Sequence, residues 1–155
     1  MECLSASTIV PMEIDVCFQE KKITYHVYNV SLQFSGDQLE PSEITARLNL
    51  QPSKVFNKSE NLPWQRQRCS CWEYNGKGEV GYQFGWEFLE DGLEFLVATL
   101  NSRKAEIIAI GRQFEGYWWC SHFQASFNGG PKLPSKLLAE MGSYGIPLYI
   151  DTYFN

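Results

Sequence analysis

The chain has 155 residues, 44% of them hydrophobic and 20% charged, enough to bury a core without disulfide staples. Its net charge of −5 argues against nucleic acid as the main ligand, because phosphate-tracking proteins draw their affinity from an excess of Lys and Arg. No run of about 18 apolar residues occurs, which argues against a membrane span, and five cysteines without scaffold spacing fit reduced thiols and a cytoplasmic location.

Residues 1–24 read as an N-terminal extension with one candidate strand, Met12 to Phe18, and residues 25–155 as a single α+β domain. The opening lacks a positive n-region and a continuous apolar segment, so it does not read as a secretory signal. From Ile23 to Phe34 the pattern alternates, with Tyr28, Val30, Leu32 and Phe34 on one face and Asn29, Ser31 and Gln33 on the other. Pro41-Ser42-Glu43 opens a helix carrying Ile44 and Leu48, since proline suits a first helical turn and an acid suits the positive end of the dipole. A short strand starts near Lys54 and leads into a polar loop. A second alternating strand then runs to Tyr74 with Trp72 on one face and Cys71 and Glu73 on the other, and Asn75-Gly76 turns the chain.

Leu89, Leu93, Leu96, Val97 and Leu100 recur at helical spacing, and a further helical piece spans about Lys104 to Gln113. From Gly116 a strand alternates Tyr117, Trp119, Ser121 and Phe123 against Trp118, Cys120, His122 and Gln124. The spacing next predicts a helix from Ser135 carrying Leu137, Leu138 and Met141. A last strand follows, with Leu148 and Ile150 inward and Tyr149, Asp151 and Tyr153 outward. Strands that are apolar on one side only favour a mainly antiparallel sheet with helices on one face. The expected architecture is therefore a two-layer, ferredoxin-like α+β sandwich with an added helix and strand.

Three stretches, SLQFSGDQLEPSEITARLNLQPSKVF, the lone strand Trp of CSCWEY, and NGGPKLPSKLLAEMGSYGIPLYIDTY, together resemble the bacterial family called domain of unknown function 4279, over about His26 to Tyr153. The resemblance implies a small intracellular bacterial domain and brings no catalytic motif with it. By analogy with other small acidic families, it points to immunity proteins of toxin systems.

Three constellations could carry chemistry. Cys69, Cys71, Cys120 and His122 would offer a Cys₃His metal set, or a thiol nucleophile with an imidazole base oriented by Glu73 or Asp151, if their two strands were neighbours. Cys-x-Cys within a strand is not the usual zinc knuckle, and scattered thiols are the commoner reading. The basic stretch Arg66–Arg68 near Trp64 could stack on bases, against the overall charge. The paired acids Glu90-Asp91 sit where a helix begins, which the helix dipole already explains. No cofactor motif is present in the sequence.

If Trp72, Trp119 and Leu148 point into the core, the opposite sheet face displays Glu73, Trp118, His122, Tyr149, Asp151 and Tyr153. Rings among polar groups and acids have the composition of a protein-binding patch. The expectation is a non-enzymatic, immunity-type domain neutralising a basic toxin through that face. The alternatives are a metal-binding or thiol-dependent enzyme using the Cys/His cluster, and a homodimer pairing the same faces.

Overall fold

The structure, a computed structural model, describes residues 25–58 and 69–154. The candidate strand Met12–Phe18, the first residues of the strand expected from Ile23, and the Trp64–Arg68 stretch lie outside the described residues. The elements run β1 (Val27–Gly36), α1 (Pro41–Leu48), β2 (Lys54–Phe56), β3 (Ser70–Tyr74), α2 (Leu89–Leu100), a 3₁₀ turn (Asn101–Arg103), α3 (Lys104–Gln113), β4 (Glu115–Gln124), α4 (Ser135–Gly142) and β5 (Leu148–Phe154).

The strands form one sheet in the order β2-β3-β1-β4-β5. The β2–β3, β3–β1 and β1–β4 ladders are antiparallel. Read from the β4 side, the first four strands have the order 4-1-3-2, the split βαβ arrangement of ferredoxin-like folds. β5 adds to the free side of β4 in parallel. A parallel neighbour needs a crossover rather than a hairpin, and α4 supplies it.

β1 is central, and its alternation sorts the molecule. Tyr28, Val30, Leu32 and Phe34 are buried in one cluster with Leu89, Leu93, Leu96, Val97 and Leu100 of α2, Ile44 and Leu48 of α1, Ile107 and Ile110 of α3, and Leu137 and Met141 of α4. The helical spacing of those apolar residues is what brings one side of each helix onto the sheet. α1 is tied in at two points in its C-terminal half. Its Thr45 hydroxyl accepts the Trp72 indole N–H at 3.0 Å, which satisfies a fully buried donor. Arg103 donates from Nε to the Leu48 carbonyl at 2.7 Å, closing an end that would otherwise leave carbonyls bare. Asn49 takes the left-handed conformation there (φ 50°), one that asparagine tolerates better than most residues.

Directly opposed residues of antiparallel strands share a face. Leu32 is opposite Trp118, Val30 opposite Cys120 and Tyr28 opposite His122. These β4 residues therefore point into the core, and Trp118 and Cys120 are fully buried. This corrects the expected orientation of β4: Trp118 and His122 lie inside, while Trp119, opposite Ser31, lies on the face away from the helices. Gly116 fits the observed phase, because it lies beneath Phe34, where a Cβ would come within 2.8 Å of the ring. Trp72 and Leu148 take the expected inward positions, and Tyr149, Asp151 and Tyr153 the expected outward ones. Ile150 shares the helix side but is 41% exposed, since β5 is the outermost strand there and reaches beyond the cover of the helices.

The two adjacent tryptophans test this phase. Trp118→Ala should cost about 3–5 kcal/mol in urea unfolding, as expected for emptying a filled core site. Trp119→Ala should cost clearly less. Equal losses, or the reverse order, would mean that β4 is turned over.

Candidate functional site

Seen from the side away from the helices, the sheet presents two features. The first is an aromatic band. Tyr117, Trp119 and Phe123 of β4 stand beside Tyr149 and Tyr153 of β5 because the parallel register aligns Trp119 with Tyr149 and Phe123 with Tyr153. Ring centroids are 5.1 Å apart for Tyr117–Tyr149, 6.3 Å for Tyr117–Trp119 and 5.3 Å for the stacked pair Phe123–Tyr153. Tyr149 and Tyr153 are each 44% exposed. The Trp119 indole N–H donates to the Ser121 hydroxyl at 3.2 Å, which holds the ring across its own strand.

The second feature is a cleft of about 340 Å³ beside this band. Asn29, Ser31, Gln33, Trp119 and Ser121 form its floor, Lys54 and Glu73 stand on one side, and Tyr82, Phe84 and Trp86 on the other. The last wall is the segment between β3 and α2. It is anchored where Tyr28 and Trp86 exchange both backbone hydrogen bonds at 2.8 Å, continuing the sheet past the end of β3. Gly76 turns this segment with φ 79°, a left-handed conformation suited to glycine, and a Cβ there would strike the Phe95 ring at 2.6 Å. The segment carries Phe84 almost bare, 91% exposed.

Glu73 is the most informative group in the cleft. It sits opposite Gln33 on one side and Lys54 on the other. Burial pushes its carboxyl above the usual carboxylate range, while the Ser31 hydroxyl and the Lys54 charge pull the other way. Among the described residues it forms no ion pair; the two present join Arg47 to Glu106 and Lys58 to Asp37. The Lys54 ammonium lies over the Phe56 ring, 4.4 Å from its centroid.

The alternative Cys/His cluster of Cys69, Cys71, Cys120 and His122, which required β3 and β4 to be neighbours, does not assemble. β1 runs between β3 and β4, and Cys71 faces away from the helices while Cys120 and His122 face the core. No group of three His, Cys, Asp or Glu side chains that could hold a metal ion occurs among the described residues. Burial pushes the Cys120 thiol up to about 12 and, with help from Glu73 and Cys69, the Cys71 thiol up to about 11. Both thiols are thus protonated at neutral pH, the unreactive form. Glu73 and Asp151, named as orienters of His122, stand on the other side of the sheet from it.

His122 instead pairs with a residue that the sequence reading passed over. His26 Nδ1 lies 2.9 Å from His122 Nε2, and His26 Nε2 lies 2.9 Å from the Asn128 carbonyl oxygen. A carbonyl can only accept, so His26 carries its proton on Nε2 when neutral, and His122 Nε2–H donates to the bare Nδ1. The His122 ring also stacks on Tyr28 at 4.5 Å and is 5% exposed. His26, but not His122, borders a second concavity of about 320 Å³ lined also by Glu90, Gly129, Gly130 and Lys132. A lone histidine just ahead of an apolar strand carries no periodic signal. Only the register of Tyr28 with His122 brings the two rings together.

A protein-family model described as a domain of unknown function (DUF4279) matches residues 25–155. No curated protein and no solved structure matches the chain.

Burial, and then the neighbouring His26, lower the pKa of His122 from 6.5. The unfolded chain therefore binds its proton first as pH falls, so stability is full above about pH 6.5 and declines below it, down to the lower folded-state value. His122→Asn should remove this step. Subtracting its urea-unfolding profile from that of the wild type between pH 7.5 and 5 should leave a difference that shrinks toward acid. A flat difference would contradict the burial of a neutral His122.

Proposed function

Because the chain belongs to the DUF4279 family, whose description gives no activity, we propose from its geometry that it is a non-enzymatic protein-binding domain of the immunity type, which covers a basic toxin with the sheet face opposite its helices. The observation that carries this reading is the aromatic band of two ring groups, Tyr117–Trp119–Tyr149 and Phe123–Tyr153, which flank Ser121 and Asp151 and are partly open to solvent. Large rings left on a pleated surface are the usual anchors of protein interfaces, and proteins seldom leave such a patch without an occupant. Tyr149, Tyr153, Asp151 and Glu73 keep the anchoring and charge-pairing roles expected of them. Trp119, Tyr117 and Phe123 replace the buried Trp118 and His122.

The charge supports a basic partner. Asp151 stands on this face opposite Ser121, Glu73 lies in the adjoining cleft, and the chain carries −5 overall. Complementary charge raises association rates and makes them sensitive to salt. Among the described residues no helix is long and apolar enough to cross a membrane.

Affinity capture from the native host with the wild type, a Trp119→Ala/Tyr149→Ala variant and a Leu138→Ala variant on exposed helix α4 tests the reading. The wild type and the α4 variant should recover the same basic protein, releasing it as salt rises. The double variant should bind it at least about 30-fold more weakly, the loss expected from removing hot-spot rings worth about 2 kcal/mol. Equal recovery by all three proteins overturns the assignment. A particle of twice the 17.8 kDa chain mass in light scattering, lost in the double variant, would give the face to a second copy instead.

A further inference from the structure

The cleft next to the band has features that the band lacks: depth, a half-buried acid, and rings on its floor and one wall. Glu73 is held from water enough to raise its proton affinity, yet it has no ion pair among the described residues. Its nearest candidate, Lys54, directs its ammonium toward Phe56. A desolvated carboxylate is costly unless a cation meets it, and Lys54, whose charge is felt at Glu73, does not reach it as an ion pair.

The surrounding groups narrow the class of cation. Gln33 donates from Nε2 to the Ser31 hydroxyl at 3.1 Å, which leaves its amide oxygen as an acceptor. Asn29, in the cleft floor, is exposed, with a second amide oxygen to offer. Trp119 on the floor and Tyr82 and Phe84 on the wall supply flat faces. A compact ammonium would use the carboxylate and little else. A guanidinium is planar, carries five donors and stacks on aromatic faces, and so can use the acid, the amide oxygens and the rings together.

We propose that the cleft bounded by Glu73, Gln33, Asn29, Trp119 and Tyr82 receives an arginine side chain of the basic partner, as the specificity pocket of the interface. This rests on the reading of the sheet face as a protein-binding surface and adds the residue type it selects. Glu73 takes the guanidinium charge, Gln33 and Asn29 accept its remaining N–H groups, and the segment carrying Tyr82 and Phe84 closes over its stem.

The full chain, labelled with ¹⁵N, can be titrated with Nα-acetyl-arginine methylamide, its lysine counterpart and the uncharged isostere Nα-acetyl-citrulline methylamide. The arginine compound should shift the Asn29 and Gln33 side-chain amide signals saturably. The lysine and citrulline compounds, and the arginine compound on Glu73→Gln, should bind at least fivefold more weakly. The Glu73→Gln spectrum itself shows whether that variant is folded. Equal shifts with arginine and citrulline, equal shifts with arginine and lysine, or no shift with any compound would each overturn the proposal. The two readings fail separately. Capture of a basic partner with no response to arginine removes only the pocket, whereas a response to arginine without a captured partner leaves the pocket and removes the toxin-binding reading.

Discussion

β1 is the element on which the rest depends. Among the described residues it is the only strand with long antiparallel partners on both sides, β3 and β4, and its four inward residues, Tyr28, Val30, Leu32 and Phe34, set the inward direction for those neighbours. Because side chains alternate with a period of two, the same strand also sets what faces away: Asn29, Ser31, Gln33 and Ser35. Ser31 and Ser35 are buried although they stand on the face without helices. The rings of β4 beside them therefore partly roof that face, and it is not a flat polar surface.

The two histidines show the cost of a polar group on the inward side. His122 stands where a core residue belongs, and its ring is used as one, stacked against Tyr28. Its polar edge is satisfied by His26, which is fixed in turn by the Asn128 carbonyl, so the chain entering β1 and the loop leaving β4 are held together by one relay. Elsewhere the core is less well satisfied. The Trp118 indole nitrogen and the Tyr144 hydroxyl are buried without a hydrogen-bond partner among the described residues, at a typical cost of about 1–3 kcal/mol each. Their rings meet edge to face with centroids 5.2 Å apart. Such packing recovers part of that cost through ring contact.

Much of the architecture was legible because the periodic signals were long and one-sided. The leucine repeat of α2, the bounds of α3 and the single apolar face of β1 each name their own element without help from neighbours. β4 was not legible in the same way. With Trp118 and Trp119 side by side, hydrophobicity cannot choose which alternation goes inward, and the deciding facts lie in the pairing with Leu32 and Ser31. A local clue existed, since Cys120 is a residue type more often buried than Ser121, and the small Gly116 shares its phase. Strand order decided the Cys/His cluster in the same way: sequence spacing cannot reveal that β1 separates β3 from β4. The cleft wall between β3 and α2 was invisible for another reason. Its residues follow neither period, and its place comes from one backbone bridge at Trp86.

The parallel attachment of β5 has a consequence for how the chain matures on the ribosome. The four antiparallel strands are all synthesised by Gln124, but β4's outer edge receives its partner only when residues 148–154 emerge, some thirty residues later. At roughly 5–20 residues per second, that leaves β4's outer amides and carbonyls bare for a few seconds in each round of translation. An uncapped strand edge of this kind is a template for wrong pairing between nascent chains. The polar, glycine-bearing connection SFNGGPK, poor in strand-forming residues, occupies the start of that interval.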